Sequence, residues 1–491
     1  MKTLLISDSA ALGLMEARPE PAWRVRMSVL RNKDLLAPDY GAMHVAAYLK
    51  SQGFPLRVIN LVADVHSTAS AFAEPHTDPE AFSGAPIASQ EAAAASRSYL
   101  LSALRSENPD VIFVSLSIYN LALYTRRLLG EIKAACPGAT LITGGIYSTF
   151  HAPEILADGC ADAVVRGEGE LTSAELLSRL SKKQDLDGLA GVSYRIDGRV
   201  IHNDARSRIK DLDSLPHPYT VSSEFKISTR FEILNGLLPG PDWIAGAGFL
   251  TSRGCPEGCA FCLDPAINER RTRFHSPGYV REVLEFCSDN FPGGPGAFFF
   301  GDATFTMNKK RLARILDSLP DFSYTYQIQT RADYLDARTV EGLAAAGVTN
   351  IAIGAETFNE EILSTVVRKR LEVSEVIEAA RAVRATGMKP MLTFIVGLPG
   401  ETRESILRTV EILCENELFD ATFFPLVVFK GTELFKGFSK RSTPGEMDRW
   451  RVNPVSEEFL RVGDEFATPE ELEGFAAYAN ACLTSRRLTP A

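Results

Sequence analysis

The sequence predicts an α/β protein in which a Rossmann-like parallel-sheet domain precedes a partial (β/α)6 barrel of TIM type and a short helical C-terminal segment. Three observations lead to this prediction. Short apolar runs alternate with helical patterns in both halves of the 491-residue chain, as parallel sheets covered by helices require. A turn-rich stretch near residues 190–240 separates the halves. Three cysteines cluster where the first strand of the second half ends.

In the first half, continuous apolar runs have the length of buried strands, and the stretches between them have helical spacing. A continuous apolar run is typical of a parallel strand that is covered on both faces. The helical segment 41–49 ends at Gly53, and the segment 121–135 is closed by Pro137 and Gly138. The expected strands lie at residues 3–6, 56–60, 111–116, 140–143 and 161–165.

Irregular stretches interrupt and then end this half. Residues 10–34 are long for a loop, and residues 66–95 are rich in Ala, Ser and Pro, which indicates an insertion. Asp197-Gly198 separates two alternating runs and predicts a hairpin over 192–202. Residues 211–217, with prolines at their end, are expected to form a linker.

The second half restarts the alternation of strands and helices over six repeats, which predicts a full or partial parallel barrel. In such barrels the chemistry lies at the carboxyl ends of the strands. The expected strands are 249–252, 297–300, 325–329, 350–353, 392–396 and 421–428, and a terminal helix is expected over 469–485. The predicted parts are thus 1–190 (Rossmann-like domain), 191–243 (hairpin and linker), 244–430 (barrel) and 431–491 (helical segment).

Composition excludes several classes of protein. The chain has 52 basic and 62 acidic residues, a net charge of −10, which argues against a nucleic-acid-binding surface. The N-terminus turns polar after a short apolar run, so we expect a first strand there and not a signal peptide. No run is apolar enough for a membrane span. Eight cysteines in so long a chain are too few for a disulfide framework, and a cytoplasmic protein is expected.

Three of those cysteines are unusual in their spacing. Cys255, Cys259 and Cys262 are separated by three residues and then by two, on one Gly- and Pro-containing loop. Three thiolates leave a tetrahedral zinc site incomplete. They suit a four-iron four-sulfur cluster, in which the fourth iron stays open for a small chelating ligand. A zinc-stabilised, non-catalytic binding protein is the alternative.

With Phe261 directly before its third cysteine, this loop resembles the C-x3-C-x2-C motif of the radical S-adenosylmethionine (SAM) superfamily. The resemblance implies a 4Fe-4S cluster on the three cysteines, whose open iron chelates SAM and cleaves it to a 5′-deoxyadenosyl radical. Relatives often have two adjacent acids where this chain has Asp302 and Ala303. The resemblance also implies these SAM contacts: Phe261 at the adenine, Asp302 at the amine, Arg331 at the carboxylate, Glu356 at the ribose with Gly354 permitting close approach, and Gly397 in the adenine-side loop.

The N-terminal half contains small residues at the ends of two expected strands, a pattern that marks a ligand crevice in parallel sheets. Placed before a radical SAM barrel, this half resembles the cobalamin-binding subfamily. Asp39 and His44 are too far apart for the Asp-x-His-x-x-Gly motif that supplies a cobalt ligand, so His44 is expected to be an ordinary helix residue. The resemblance implies that cobalamin lies against Ser115, Ser117, Tyr119, Gly144, Gly145, Tyr147 and Ser148, largely through main-chain groups.

Together, these resemblances imply a cobalamin-dependent radical SAM enzyme. The first hypothesis is a methyltransferase that acts on an unactivated carbon through a 5′-deoxyadenosyl radical and methylcobalamin, with SAM as methyl donor and radical source. The second is a radical SAM cyclase, ring-contraction or oxidative rearrangement enzyme without methyl transfer. The expected partners are a small-molecule substrate, which the sequence does not identify, and an external reductant of flavodoxin or ferredoxin type.

Overall fold

A computed structural model of the chain describes residues 1–7, 39–61, 86–116, 122–228, 247–291, 296–439, 465–466 and 469–488. The irregular stretch predicted at 10–34 lies outside the described residues, as does the first part of the stretch 66–95. The chain divides into two compact units, Met1–Ala245 and Gly246–Ala491. The expected hairpin belongs to the first unit and the terminal helix to the second, and the finer division into four parts stays a prediction.

The first unit is built on a mainly parallel sheet. Its strands are β1 Thr3–Ser7, β2 Leu56–Asn60, β3 Val111–Ser115, β4 Thr140–Gly144, β5 Ala163–Val165, β6 Val192–Ile196 and β7 Arg199–His202. Within the described residues they have the order β2-β1-β3-β4-β5-β6-β7. The first five are parallel, and β6 and β7 add antiparallel pairs at one edge. The Rossmann-like prediction is therefore confirmed.

Helices cover this sheet and bury its apolar strands. They are α1 Tyr40–Ser51, α2 Pro86–Glu107, α3 Ala122–Ala135, α4 Ile146–Ala157 and α5 Glu170–Ser181. The Asp39 side chain accepts a hydrogen bond from the Ala42 amide and so caps α1, as a free helix N-terminus requires. His44, expected to be an ordinary helix residue, lies on α1 and is buried at 4% exposure. Between β6 and β7, Asp197 and Gly198 both have positive φ, the backbone of the predicted two-residue hairpin turn.

The second unit repeats the β/α alternation. Its strands are β8 Ala247–Phe249, β9 Ser252–Arg253, β10 Arg273–Phe274, β11 Ala297–Phe300, β12 Thr325–Thr330, β13 Val348–Glu356, β14 Lys389–Val396 and β15 Ala421–Pro425. Among the described residues, six of them form a sheet in the order β15-β14-β13-β12-β11-β8. Each pair of adjacent strands in this sheet is parallel. Because these strands are parallel, every carboxyl end lies at the same edge of the sheet, as the partial-barrel prediction requires.

The helices of this unit follow its strands, and the last one covers the end of the sheet. They are α6 Asp264–Asn268, α7 Pro277–Asn290, α8 Lys309–Leu316, α9 Ala337–Ala345, α10 Glu360–Thr365, α11 Val373–Ala385, α12 Arg403–Glu415, α13 Glu433–Ser439 and α14 Pro469–Leu488. On α14, the Asn480 side chain accepts from the Phe423 amide at 2.9 Å and donates to the Phe423 carbonyl. This amide satisfies backbone groups of the edge strand β15, which an open sheet would otherwise leave unpaired. None of the described helices combines the length and apolar character that crossing a bilayer requires.

Candidate active site

The three clustered cysteines lie on a loop that leaves the carboxyl end of β8. Its base is closed by β9 and β10, which pair antiparallel through Arg253 and Arg273. Gly254, directly before the first cysteine, has φ +100°, and a Cβ added there would lie 2.0 Å from the Arg271 carbonyl oxygen. A side chain at this position would collide with the backbone, so glycine is required for the entry of the chain into the loop.

The middle of the loop is held by two other segments of the same unit. The Ala260 amide donates to the Val367 carbonyl at 2.9 Å, and the Ala260 carbonyl accepts from the Leu434 amide at 2.9 Å. The Cys262 amide closes a tight turn onto the Cys259 carbonyl. Phe261, the expected adenine contact, is half-buried between these anchors. Main-chain hydrogen bonds thus hold the part of the loop between Cys259 and Cys262.

The thiols themselves are half-buried and form no disulfide with one another. Burial raises the pKa of all three, and that of Cys262 to about 12, so a positive centre is needed to hold them as thiolates. The Asp264 amide donates to Cys262 Sγ at 3.4 Å, and Thr304 Oγ1 lies 3.8 Å from Cys255 Sγ. A main-chain donor to sulfur, such as the Asp264 amide, tunes an iron–sulfur centre.

The thiols do not form a ready-made site for one ion. Among the described residues, no three His, Cys, Asp or Glu side chains converge closely enough to hold a single metal ion. Separate thiols on one loop fit a donor set in which each sulfur binds a different iron of a cluster. A structural zinc ion instead needs its ligands around one point.

Asp302, expected at the SAM amine, follows β11 and is completely buried beneath the cysteine loop. Its carboxylate accepts hydrogen bonds from the Thr251 amide at 3.1 Å, from the Thr251 hydroxyl at 2.9 Å and from the Ser252 hydroxyl. Burial raises the pKa of Asp302, and these donors oppose that shift. In this position Asp302 supports the base of the loop, and its assignment to the SAM amine stays a prediction.

Arg331, expected at the SAM carboxylate, follows β12 and is 5% exposed. Its Nε and Nη2 donate to the two oxygens of Asp333 at 3.0 and 2.9 Å. Its Nη1 makes no hydrogen bond although it is buried, and it lies 3.8 Å from the carboxylate of Glu257 in the cysteine loop. A buried guanidinium N–H without an acceptor is costly. This unsatisfied donor beside the loop fits a ligand carboxylate.

Glu356, expected at the ribose, ends β13 and is also buried, at 8% exposure. Its φ of +67° is left-handed, and the register of β13 with β14 shifts at this point. Lys369 Nζ donates to Glu356 Oε1 at 2.8 Å and to the carbonyl of Gly354 at 2.5 Å. Sequence reasoning missed Lys369, because a single lysine after a short helix belongs to no motif. Only the fold brings it to β13.

Gly397, expected in the adenine-side loop, follows β14 and lies above a buried carboxylate. Glu401 Oε2 accepts from the amides of Gly397 and Leu398 at 2.7 and 3.3 Å, and Oε1 accepts from the Thr357 hydroxyl at 3.2 Å. Burial raises the pKa of Glu401 to about 7, although all three donors oppose the shift. Glu401 therefore fixes the loop that carries Gly397 and joins it to the end of β13.

This carboxyl predicts a pH dependence of stability. The folded chain keeps its proton up to about pH 7, whereas the unfolded chain releases it near 4.5, so the free energy of unfolding falls as pH rises between these values and is level above them. In Glu401→Gln the amide oxygen can accept from both amides and the NH2 can donate to Thr357. In the parent chain this decrease in the free energy of unfolding amounts to about 3 kcal/mol, and we expect Glu401→Gln not to show it.

Urea unfolding of the full chain between pH 5 and 8 measures this difference. The exposed Glu404 on the same helix end provides the control variant Glu404→Gln, which should follow the pH profile of the parent chain. Parallel profiles for Glu401→Gln and the parent chain would contradict the expectation.

In the first unit, the expected cobalamin residues lie at the carboxyl edge of the sheet. Ser115 and Gly144 end β3 and β4, and Gly145 is exposed at the start of α4. The side chains of Tyr147 and Ser148 are buried: Tyr147 stacks on His151, and the Ser148 hydroxyl donates to the Gly144 carbonyl at 3.0 Å. Of the expected residues, Ser117 and Tyr119 lie outside the described part of the chain.

The strand order of this unit identifies the same edge as a ligand crevice. The order β2-β1-β3-β4-β5 has its topological switch point between β1 and β3, and ligands of such sheets bind at the carboxyl ends there. Gly145 crosses closely over the end of β3: a Cβ on it would lie 2.4 Å from the Leu116 carbonyl oxygen. Gly145 is exposed and Gly144 is half-buried, so the main chain at this point can approach a flat ligand.

Comparison with known proteins gives the same two-part division. Residues 249–413 match the family model described as the radical SAM superfamily. Residues 29–177 match the model described as the B12 binding domain.

Individual relatives match more than half of the chain. The chain is 29% identical over 340 residues, 68% of this chain and 70% of the relative, to uncharacterized methyltransferase PH0819 of Pyrococcus horikoshii. It is 27% identical over 274 residues to an anaerobic magnesium-protoporphyrin IX monomethyl ester cyclase of Synechocystis, covering 55% of this chain and 52% of the cyclase. The chain thus spans about half the length of that cyclase.

A solved structure shares the fold over nearly the whole chain. The radical SAM methyltransferase TsrM from Kitasatospora setae, with cobalamin and a [4Fe-4S] cluster bound, is 16% identical and superimposes with a TM-score of 0.66. The match covers 98% of this chain and 90% of TsrM. With the cysteine loop at the end of β8 and the crevice of the first sheet, these matches show that the chain is an enzyme with a B12-binding domain ahead of a radical SAM domain.

Proposed function

We propose that the chain is a cobalamin-dependent radical SAM methyltransferase that acts on an unactivated carbon of a small molecule. The observation that carries the proposal is the loop of Cys255, Cys259 and Cys262 at the carboxyl edge of a parallel sheet, preceded in the chain by a B12-binding domain. The three cysteines would hold a 4Fe-4S cluster. Their half-buried thiols, anchored by main-chain bonds, suit that role.

SAM would be held by residues at the ends of the neighbouring strands. The unsatisfied Nη1 of Arg331 would donate to its carboxylate, and Glu356 would accept from its ribose hydroxyls. Phe261 and the loop of Gly397 would contact the adenine, with Gly354 leaving space beside Glu356. Asp302 would keep the base of the cysteine loop in place through Thr251 and Ser252.

Cobalamin would be held at the carboxyl edge of the first sheet. Ser115, Gly144 and Gly145 would offer main-chain groups, and Tyr147 and Ser148 would contribute through their backbone because their side chains are buried. The proposal places Ser117 and Tyr119 in the same crevice. When bound, the cluster and SAM would supply a 5′-deoxyadenosyl radical and cobalamin would carry the methyl group. An external reductant of flavodoxin or ferredoxin type would provide electrons.

A second function has specific support. The Synechocystis relative is named as a cyclase, so a cyclisation or oxidative rearrangement without methyl transfer remains the competing proposal. The zinc-stabilised binding protein is not favoured, because residues 249–413 match the model of a superfamily of enzymes.

Anaerobic reconstitution with iron, sulfide and hydroxocobalamin, followed by SAM and reductant, tests these functions. A methyltransferase should form S-adenosylhomocysteine in an amount matching its bound cobalamin, together with 5′-deoxyadenosine. 5′-Deoxyadenosine alone would favour the cyclase or rearrangement. Zinc without iron in the anaerobically purified chain would contradict both. SAM incubated with the reductant and cobalamin but no protein is the control.

A further inference from the structure

A short segment after α10, residues 366–371, lies between two parts of the proposed SAM site. It contains Lys369, which is 4% exposed and is buried together with Glu356. Few lysines are fully buried, and those that are have a partner. Here the partner is Glu356, and no motif in the sequence points to the pair.

Lys369 occupies one oxygen of Glu356 and leaves the other available. Its Nζ donates to Oε1 at 2.8 Å. Among the contacts of the described residues, Oε2 accepts no hydrogen bond, although the Glu356 side chain is only 11% exposed. A second bond from Nζ, to the Gly354 carbonyl at 2.5 Å, fixes the ammonium group itself. The carboxylate is therefore held at one oxygen and can accept from a ligand hydroxyl at the other.

The same segment is bonded to the cysteine loop. Two residues before Lys369, the Val367 carbonyl accepts from the Ala260 amide, which lies between Cys259 and Phe261. The Lys369 amide is in turn fixed to the Leu363 carbonyl at 3.0 Å. One rigid stretch of backbone thus joins the loop of the cysteines to the carboxylate at the end of β13.

Glu356 needs such a restraint because of its backbone. Its φ of +67° is unfavourable for a residue with a Cβ, and the surrounding structure must maintain it. A buried carboxylate without a partner would also pay a desolvation cost. The ammonium of Lys369 offsets that cost and selects one rotamer of the side chain.

We propose that Lys369 is a positioning residue for SAM: it fixes the Glu356 carboxylate at the ribose-binding position and keeps that position in register with the cysteine loop. Lys369 does not itself contact the cofactor. This inference rests on the proposed function, in which Glu356 accepts from the ribose.

The test measures equilibrium binding of radiolabelled SAM to the anaerobically reconstituted full chain, with iron content determined for each sample. We expect Lys369→Met to keep its iron and weaken SAM binding at least about tenfold, since a hydrogen bond to a charged group is lost. Lys369→Arg should recover part of the affinity. The exposed Lys310 provides the control Lys310→Met, which should bind SAM as the parent chain does.

A double-mutant cycle with Glu356→Gln separates positioning from a direct contact. If Lys369 acts through Glu356, the double variant should bind SAM no more weakly than Glu356→Gln alone. Additive losses, or parent-like binding by Lys369→Met, would overturn the inference. The double variant leaves no unpaired buried charge. Its SAM binding can therefore be compared with that of Glu356→Gln even if Lys369→Met loses its cluster. If Glu356→Gln binds SAM as the parent chain does, both the ribose assignment and the inference are overturned. If Glu356→Gln binds SAM more weakly but Lys369→Met does not, only the inference is overturned.

Discussion

Replacing any one of Cys255, Cys259 and Cys262 with alanine is expected to abolish stable iron–sulfur binding and all cleavage of SAM. Each thiol would hold one iron of the cluster, and no other cysteine shares the loop. The loop itself should persist, because its anchors are the main-chain bonds of Ala260. Iron and acid-labile sulfide per chain, and the broad visible absorption after anaerobic reconstitution, measure the loss.

A matched control comes from the same unit. Cys414 is half-buried on α12, away from the cysteine loop in sequence, and Cys414→Ala should bind iron as the parent chain does. Thermal unfolding of each variant before reconstitution checks that the fold is intact. Parent-like absorption and iron content in any variant of the loop cysteines would refute their assignment as ligands.

The second large effect is expected from Gly145→Ala in the first unit. Gly145 has φ +95° and ψ −177°, a region that is essentially restricted to glycine. An added Cβ would lie 2.4 Å from the carbonyl oxygen and 3.1 Å from the carbonyl carbon of Leu116, so the backbone of β3 or α4 must move. We expect a loss of about 1–3 kcal/mol in unfolding free energy and loss of cobalamin retention.

Gly130→Ala is the control for this change. Gly130 is exposed on α3, and nothing lies within 4 Å of its would-be Cβ, so alanine should leave cobalamin binding unchanged and add up to about 1 kcal/mol of stability. Absorption by cobalamin that remains with the protein after gel filtration, together with urea unfolding, measures both effects. Full cobalamin retention by Gly145→Ala would refute the assignment of this crevice.

Several parallel strands could be predicted from sequence because they are short, continuous apolar runs. The runs at β1, β3 and β4 are buried on both faces in the fold, so they lack the polar alternation of a half-exposed strand. The hairpin turn at Asp197-Gly198 could also be predicted, since few residue pairs adopt two consecutive positive φ angles. Such signals depend only on residues that are neighbours in the chain, so they can be recognised from the sequence alone.

The supporting contacts of the site could not be predicted, because their partners are distant in sequence. Asp302 lies 51 residues from Thr251, and Glu401 lies 44 residues from Thr357. Each acid follows a strand, and sequence alone cannot tell a carboxylate that faces a ligand from one that is buried under a loop. The choice depends on which hydroxyls and amides the packed strands bring to it.

By itself, the sequence determined the fold class, the cysteine loop and the family resemblance, because strand period, turn chemistry and thiol spacing are local properties. Only the tertiary structure decided which charges lie together: Arg331 near Glu257 of the loop, Asp302 beneath the loop, and Lys369 against Glu356. The physical reason is burial. A charge away from water requires a specific partner, and the parallel sheet supplies it by collecting at one edge the ends of strands that the chain keeps apart.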